Sequence, residues 1–409
     1  MKKVFAVALG ILTAIGGFVD IGDLVANAET GARFHMNLAW VVIVGVIGIC
    51  VYAEMSGRVA AESGRAVFDL VRERLGPGPA LVNLAASFFI NLLTLTAELA
   101  GVALALSLVT SVNYLLLIPF TAFLVWVVIW RLPFALMEKV FGLLGLALIV
   151  VAVTVVKIGP DWNALLHQST HPHISPDETP FTYAYYGIAL FGAAMTPYEV
   201  FFFSSGAVEE KWSDSDLATN RANVFIGFPL GGLLSLALMA GASLALAPRG
   251  ISVDALSQVA LPTAFIMGKI GLAILLVGIF AATFGAALET ALSAGYTVAQ
   301  YLGWQWGKFV KPRDAARFHA LVLATLIFAV LIGISGVDPI KVTEYSIVLS
   351  AAALPLTYFP ILVIANDADY MGDKRNGRLA NAFGFVYLVI LVVVALATIP
   401  LMIITKAGA

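Results

Sequence analysis

The sequence predicts an all-α polytopic membrane protein of about eleven transmembrane helices, arranged as a five-plus-five inverted repeat with helices 1 and 6 broken. Three observations predict it. Of 409 residues, 61% are hydrophobic and only 12% charged, with a mean hydropathy of +0.96, whereas soluble domains average about 25% charged. The apolar residues fall into runs long enough for the roughly 20 residues that a bilayer-spanning helix needs. Two of those runs, five spans apart, are interrupted at mid-depth by glycine, proline and acidic residues.

The composition excludes a soluble enzyme, a disordered chain and a disulfide-stapled domain. Cys50, the only cysteine, lies in the apolar run Trp40 to Val51, where a thiol behaves as a small hydrophobe and can form neither a disulfide within the chain nor a cysteine metal cluster. No P-loop, CxxC, HExxH or GxSxG occurs, and nothing pairs a nucleophile with a base. No enzymatic activity and no cofactor is expected. Nucleic acid has no basic patch to bind. The expected partners are the lipid bilayer and a small solute, with no obligate protein partner.

The spans run at about 4–30, 36–57, 79–108, 112–130, 135–157, 181–205, 222–247, 263–301, 319–336, 341–366 and 380–405. The 263–301 run is long for one helix, and its first part is expected along the surface. Lys2 and Lys3 before an apolar stretch, with Ala26-Asn27-Ala28 beyond, imitate a secretory signal. The stretch passes two aspartates before reaching that site, so it is read as a retained span. Arg33, Lys157, Arg249, Lys269, Lys341 and Lys406 fall on one side, leaving 17 of the 23 Lys and Arg on the other. The richer side is read as cytoplasmic. This places the N-terminus in the cytoplasm and the C-terminus outside a bacterial-type cytoplasmic membrane. The loop at 158–180, with Asp161, His167, His171, His173, Asp177 and Glu178, is read as a solvated outer loop rather than a metal site.

The first interruption is Gly16-Gly17-Phe18-Val19-Asp20-Ile21-Gly22-Asp23, and the second Gly192-Ala193-Ala194-Met195-Thr196-Pro197-Tyr198-Glu199. Glycine and proline weaken a helix, and proline removes a backbone donor. Unwound backbone at membrane depth is tolerated where it lines a cavity or is buried in protein. Broken helices in matching places of two halves are the layout of an inverted repeat with its site at the midplane. Residues 1–158 then form the first repeat, 159–180 an outer loop and 181–368 the second repeat. Residues 369–409 hold an added eleventh span and the C-terminus.

An intramembrane carboxylate costs about 2.5 kcal/mol or more on insertion scales, so Asp20, Asp23 and Glu199 are read as functional. No Lys or Arg lies within either span core. Such carboxylates take a proton or await a cation, and three of them suit a divalent cation. Asp20, Asp23, Glu199, Thr196 and the carbonyl of Ala193 form an all-oxygen metal-ligand set, which favours magnesium, calcium or manganese. Met195 is read as packing. Secondary candidates are Tyr198, Glu98, Glu54 and Glu344. Glu54 and Glu98 are also open to pairing with Arg58 or with Thr94 and Thr96. Tyr185, Tyr186 and Phe201-Phe202-Phe203 are read as packing or interface residues.

At these segments the chain resembles the Nramp family of divalent-metal transporters. The family's Asp-Pro-Gly-Asn stands here as Asp20-Ile21-Gly22-Asp23, followed by Ala28-Glu29-Thr30-Gly31-Ala32. Its Met-Pro-His stands as Thr196-Pro197-Tyr198 after Gly192-Ala193. Weaker echoes are Ser56-Gly57-Arg58 through Ser63-Gly64-Arg65, Ala97-Glu98 and Leu354-Pro355. The resemblance implies the fold type of the amino-acid/polyamine/cation superfamily and a metal site on Asp20. The family's metal-binding methionine is Thr196, its asparagine Asp23, its proton-linked histidine Tyr198, with Phe203 at the next, and a span-3 aspartate Leu95. This pattern is closest to the Nramp-related magnesium transporters. It implies transport of partly hydrated Mg2+, or Mn2+, by alternating access without tight proton coupling. The alternatives are a proton-coupled Mn2+/Fe2+ transporter and a cation-coupled carrier of a small organic solute.

Overall fold

A computed structural model describes residues 18–132, 134–176 and 178–408, and every regular element among them is helical. The first half of span 1, with Lys2, Lys3, Gly16 and Gly17, and Asp177 lie outside the described residues. Helix α1 (Ile21–Phe34) is the second half of span 1. Helices α2 (Ala39–Ser63), α3 (Pro77–Thr110) and α4 (Tyr114–Arg131) follow. Helix α5 spans Lys139–Ile158. Span 6 is split into α6 (Pro180–Ala194) and α7 (Pro197–Glu209). The chain continues as α8 (Phe228–Ala245), α9 (Leu261–Leu302), α10 (Ala316–Gly333), α11 (Pro339–Ile364) and α12 (Arg378–Ile404). Ten stretches among the described residues are long and apolar enough to cross a membrane, and they coincide with expected spans 2 to 11.

Helix starts are written as a cap followed by proline. Thr179 Oγ1 accepts from the Thr182 N–H before Pro180, and Asp338 accepts from the Ile340 N–H before Pro339. Thr196 also precedes a proline, Pro197, but its hydroxyl makes no cap and donates to Glu199 instead. The cap satisfies an orphan donor, and proline at the first helical position loses a bond that was absent anyway. Inside α11, Pro360 has no N–H for the Leu356 carbonyl, and Asn83 Nδ2 supplies one from α3 at 2.7 Å.

The packing has the symmetry of two interchanged halves. The α1 half of span 1 lies on α8 of the second half, and α6 and α7 of span 6 lie on α2 of the first. Helix α3 pairs with α4 and α11 as α9 pairs with α10 and α5, and α3 and α9 form the largest contact, at the centre. This is the five-plus-five inverted-repeat architecture. Helix α12 is the least buried span. Its Leu379, Leu396 and Ile403 are each more than 70% exposed, as apolar side chains of a lipid-facing helix are.

Two segments depart from the sequence reading, and a third, the long 263–301 run, is divided as its length predicts. The polar loop at 158–180 contains a helix, Trp162–Thr170, capped by Asp161, and its His167 and His171 rings stack at 4.5 Å. A helix at Val67–Leu75 follows α2, its buried Val67, Phe68, Leu70 and Val71 forming an amphipathic face that a search for 20-residue runs passes over. In α9, Gly268 has φ 64° and separates the first seven residues from the span.

Candidate metal site at two helix breaks

Val19 and Asp20 are non-helical, and α1 begins at Ile21. Asp20 caps it, accepting the Asp23 N–H at 2.8 Å. Opposite, Met195 and Thr196 are non-helical between α6 and α7. Pro197, four residues beyond Ala193, has no N–H to give that carbonyl, and no donor reaches it among the described residues. Two glycines set how closely the breaks approach α11. A Cβ at Gly22 would lie 2.6 Å from Ile347 Cγ2, and one at Gly192 only 2.4 Å from the Ile347 carbonyl oxygen. Both breaks therefore sit against the same residue of α11.

The breaks are joined by the Tyr198 hydroxyl, which donates to Asp20 Oδ2 at 3.2 Å. Glu98 of α3 accepts the Ile21 N–H on Oε1 at 3.1 Å, while its Oε2 has no partner. Asp23 accepts from Asn27 Nδ2 at 2.8 Å and from the Ser235 hydroxyl of α8. Glu199 accepts from Thr196 Oγ1 at 3.1 Å. All of these carboxylates are buried. Glu98, Glu199 and Glu289, the last on α9, each sense the negative charge of Asp20. No lysine or arginine forms an ion pair with any of them among the described residues.

Asp20, Asp23 and Glu199, expected as ligands together with Thr196 and the Ala193 carbonyl, each have a separate hydrogen-bond partner. Among the described residues no three His, Cys, Asp or Glu side chains converge as a metal cage. Three like charges in a dry interior repel, and each carboxylate has a separate partner: a helix N-terminus and Tyr198, then Asn27 and Ser235, then Thr196. Asp20, Tyr198 and Glu98 are brought to the break in span 1. Thr196 and Glu199 share the break in span 6.

Two secondary candidates lie elsewhere. Glu54 is held by Arg58 at 3.1 Å, with Arg221 at 3.7 Å. Arg58 also donates to the Lys374 carbonyl and to Asn376 Oδ1 at 2.6 Å. Glu54 is thus part of a latch between α2 and the turn before α12, at the end of the bundle with the basic loops. Glu344 lies near the start of α11, and the α11 residue at the breaks is the apolar Ile347. Glu98 bonds to neither Arg58, Thr94 nor Thr96: Thr94 pairs with Ser346 at 2.8 Å and Thr96 with the Leu92 carbonyl. Met195 is fully buried, its sulfur close to Gly48 of α2, the packing role expected. Phe201 and Phe203 pack on Phe68, Phe228 and Trp212. Sequence reasoning missed Ser235, for which a serine in an apolar span gives no signal until its neighbour is known. It also undervalued Tyr186, whose hydroxyl donates to Glu29 at 2.7 Å.

Fold and site together define a membrane transporter of the broken-helix, inverted-repeat class. Residues 10–400 match the Nramp family, described as natural resistance-associated macrophage protein-like, and the chain belongs to it. It is 27% identical over 415 residues to a protein of Erwinia tasmaniensis named divalent metal cation transporter MntH, covering 97% of this chain and 94% of that one. A protein of the same name from Aeromonas hydrophila is 23% identical over 386 residues, covering 90% and 89%. Among solved structures, the Eremococcus coleocola manganese transporter, in complex with an aromatic bis-isothiourea substituted compound, superposes with a TM-score of 0.70 at 18% identity, covering 96% of this chain and 86% of that one. Mhp1, a nucleobase-cation-symport-1 family transporter, shares the fold with a TM-score of 0.61 at 17% identity, covering 97% and 92%.

Proposed function

We propose that this chain moves divalent metal cations across a membrane by alternating access around Asp20. The observation that carries this reading is the uncompensated carboxylate of Asp20. It caps a half-helix inside the bundle among oxygen donors, with no basic side chain paired to it. The cation lost from water is repaid by Asp20, by Asp23 and Glu199 when they turn from their present partners, and by the unpaired Ala193 carbonyl. Half-helices that end at a midplane site are the moving parts of this architecture. Residues 1–158 and 181–368 are the two repeats in this reading, 159–180 the link and 369–409 the addition. The end with the basic loops faces the cytoplasm, and the C-terminus lies outside.

The sequence relatives are named for divalent metal cations and the Eremococcus coleocola neighbour for manganese, and Mn2+ fits both those names and the donor set. The finer proposal is that Mg2+ is also accepted, without an obligatory proton. Thr196 is smaller than methionine and leaves room for the waters that magnesium keeps, and Tyr198 and Leu95 replace groups that the resemblance links to proton movement. The second reading is proton-coupled transport of Mn2+ or Fe2+, of which the manganese alone appears in a neighbour's name. Uptake by proteoliposomes, measured with Mg2+, Mn2+, Fe2+ and Cd2+ and an internal pH dye, separates them. The proposal expects Mn2+ and Mg2+ uptake with little Cd2+ and no coupled acidification. Uptake of Mn2+ and Cd2+ with acidification and no Mg2+ supports the second reading. No uptake of any divalent cation refutes both.

A further inference from the structure

Glu344 stands with Glu29 at the end of the bundle opposite the basic loops. Glu29 lies six residues beyond Asp23 on α1, about 9 Å along its axis at 1.5 Å per residue. Here α1, α6 and α11 pack on one another. Glu29 and Glu344 are each partly exposed. Glu29 senses the negative charges of Glu344 and Asp254 against the positive charge of Arg33, and Glu344 senses Lys341 first, then Asp338 and Asp254. Two cations offset part of this acidity without forming an ion pair to either carboxylate. The Arg33 guanidinium donates to Glu178, to the Tyr186 hydroxyl at 3.0 Å and to the Gly408 carbonyl at 2.9 Å, and Lys341 is exposed on the turn before Glu344.

A second observation points to a ligand. Tyr185 is 3% exposed and its hydroxyl has no hydrogen-bond partner. That hydroxyl senses the charge of both Glu344 and Glu29, yet bonds to neither. A buried phenol left unpaired costs about 1–3 kcal/mol, and here acceptors stand nearby but out of reach. One carboxylate from α1, one from α11 and one buried, unpaired hydroxyl from α6 thus stand on three helices that pack on one another.

We propose that Glu29, Glu344 and the Tyr185 hydroxyl form a second binding site, for a partly hydrated divalent cation, outside the helix breaks. Two carboxylates match a charge of +2, and the exposed side leaves room for retained water. Asp254 and Asp338 extend the negative field and raise the local cation concentration at the mouth. The site loads the breaks, a role that rests on the transport reading above, whereas occupancy of the site does not.

Terbium luminescence sensitised by tyrosine tests occupancy directly on the purified full-length chain. The signal is expected to saturate, to be displaced by Mn2+, and to persist in Asp20→Asn. It is expected to weaken at least tenfold in apparent affinity in Glu29→Gln/Glu344→Gln, and to fall in Tyr185→Phe, a variant that keeps the aromatic packing. A signal unchanged in the double variant, or absent from the wild type because the space holds only water, overturns the proposal, as does loss of the signal in Asp20→Asn alone. In proteoliposomes the double variant is expected to raise the KM for Mn2+ several-fold. A wild-type chain that shows the terbium pattern but takes up no cation supports the site and refutes the transport reading.

Discussion

Tyr198→Phe separates two roles that the break allows for this residue. The Tyr198 hydroxyl donates to Asp20 Oδ2 at 3.2 Å, with both residues about 2% exposed or less. A hydrogen bond to a charged group contributes about 1.5–3 kcal/mol, and the long separation places this one at the low end, since O–H···O bonds cluster near 2.7–2.8 Å. A cation that takes Asp20 Oδ2 displaces the phenol. The bond then stabilises only the empty state, and its removal tightens cation binding by about 1.4 kcal/mol, or tenfold. The remaining cap, from the Asp23 N–H, keeps α1 in place. Calorimetric titration of the purified protein with Mn2+ should show the gain in affinity. Thermal unfolding should show a lower midpoint for the cation-free variant, with little change at saturating Mn2+. Weaker binding in Tyr198→Phe would refute this reasoning and make the phenol oxygen itself a ligand.

Other consequences are equally direct. Thr196→Met puts a thioether at the break and should raise Cd2+ uptake relative to Mg2+ by about tenfold in a competition assay, since soft ligands select soft cations. Gly192→Ala sets a methyl 2.4 Å from the Ile347 carbonyl oxygen. Overpacking of this kind costs about 1–3 kcal/mol, and a lowered unfolding midpoint should report it. Arg58→Ala leaves Glu54 with Arg221 alone, at 3.7 Å. Hydrogen exchange at 372–376 should rise, and Glu54→Gln added to it should restore part of the lost stability, because the cost of breaking such a pair is largely the unpaired charge left behind.

The fold was legible in the sequence because membrane spans announce themselves by length and hydropathy, and because Gly22, Gly192 and Pro197 mark breaks in any apolar run. The residues at the site were legible for a related reason. A carboxylate such as Asp20 in an apolar span has no cheap structural explanation. Their mutual arrangement was not legible. Asp23 turns to Ser235 and Asn27, contacts set by the packing of α8 on α1, and Glu199 turns to a threonine in its own break. Depth along α11 was equally hidden. Glu344 is one turn from Ile347, and only the packing of Gly22 and Gly192 on Ile347 shows which of the two lies at the breaks. The short helices at Val67–Leu75 and Trp162–Thr170 escaped because nine residues each carry little signal beside runs of twenty.

The most direct test of the account is Asp20→Ala in proteoliposomes, with uptake of Mn2+ and Mg2+ measured alongside the wild type. Uptake of both cations should fall to the level of protein-free vesicles while the variant stays folded and correctly inserted. Uptake like the wild type would contradict the assignment of Asp20 as the centre of the cation site.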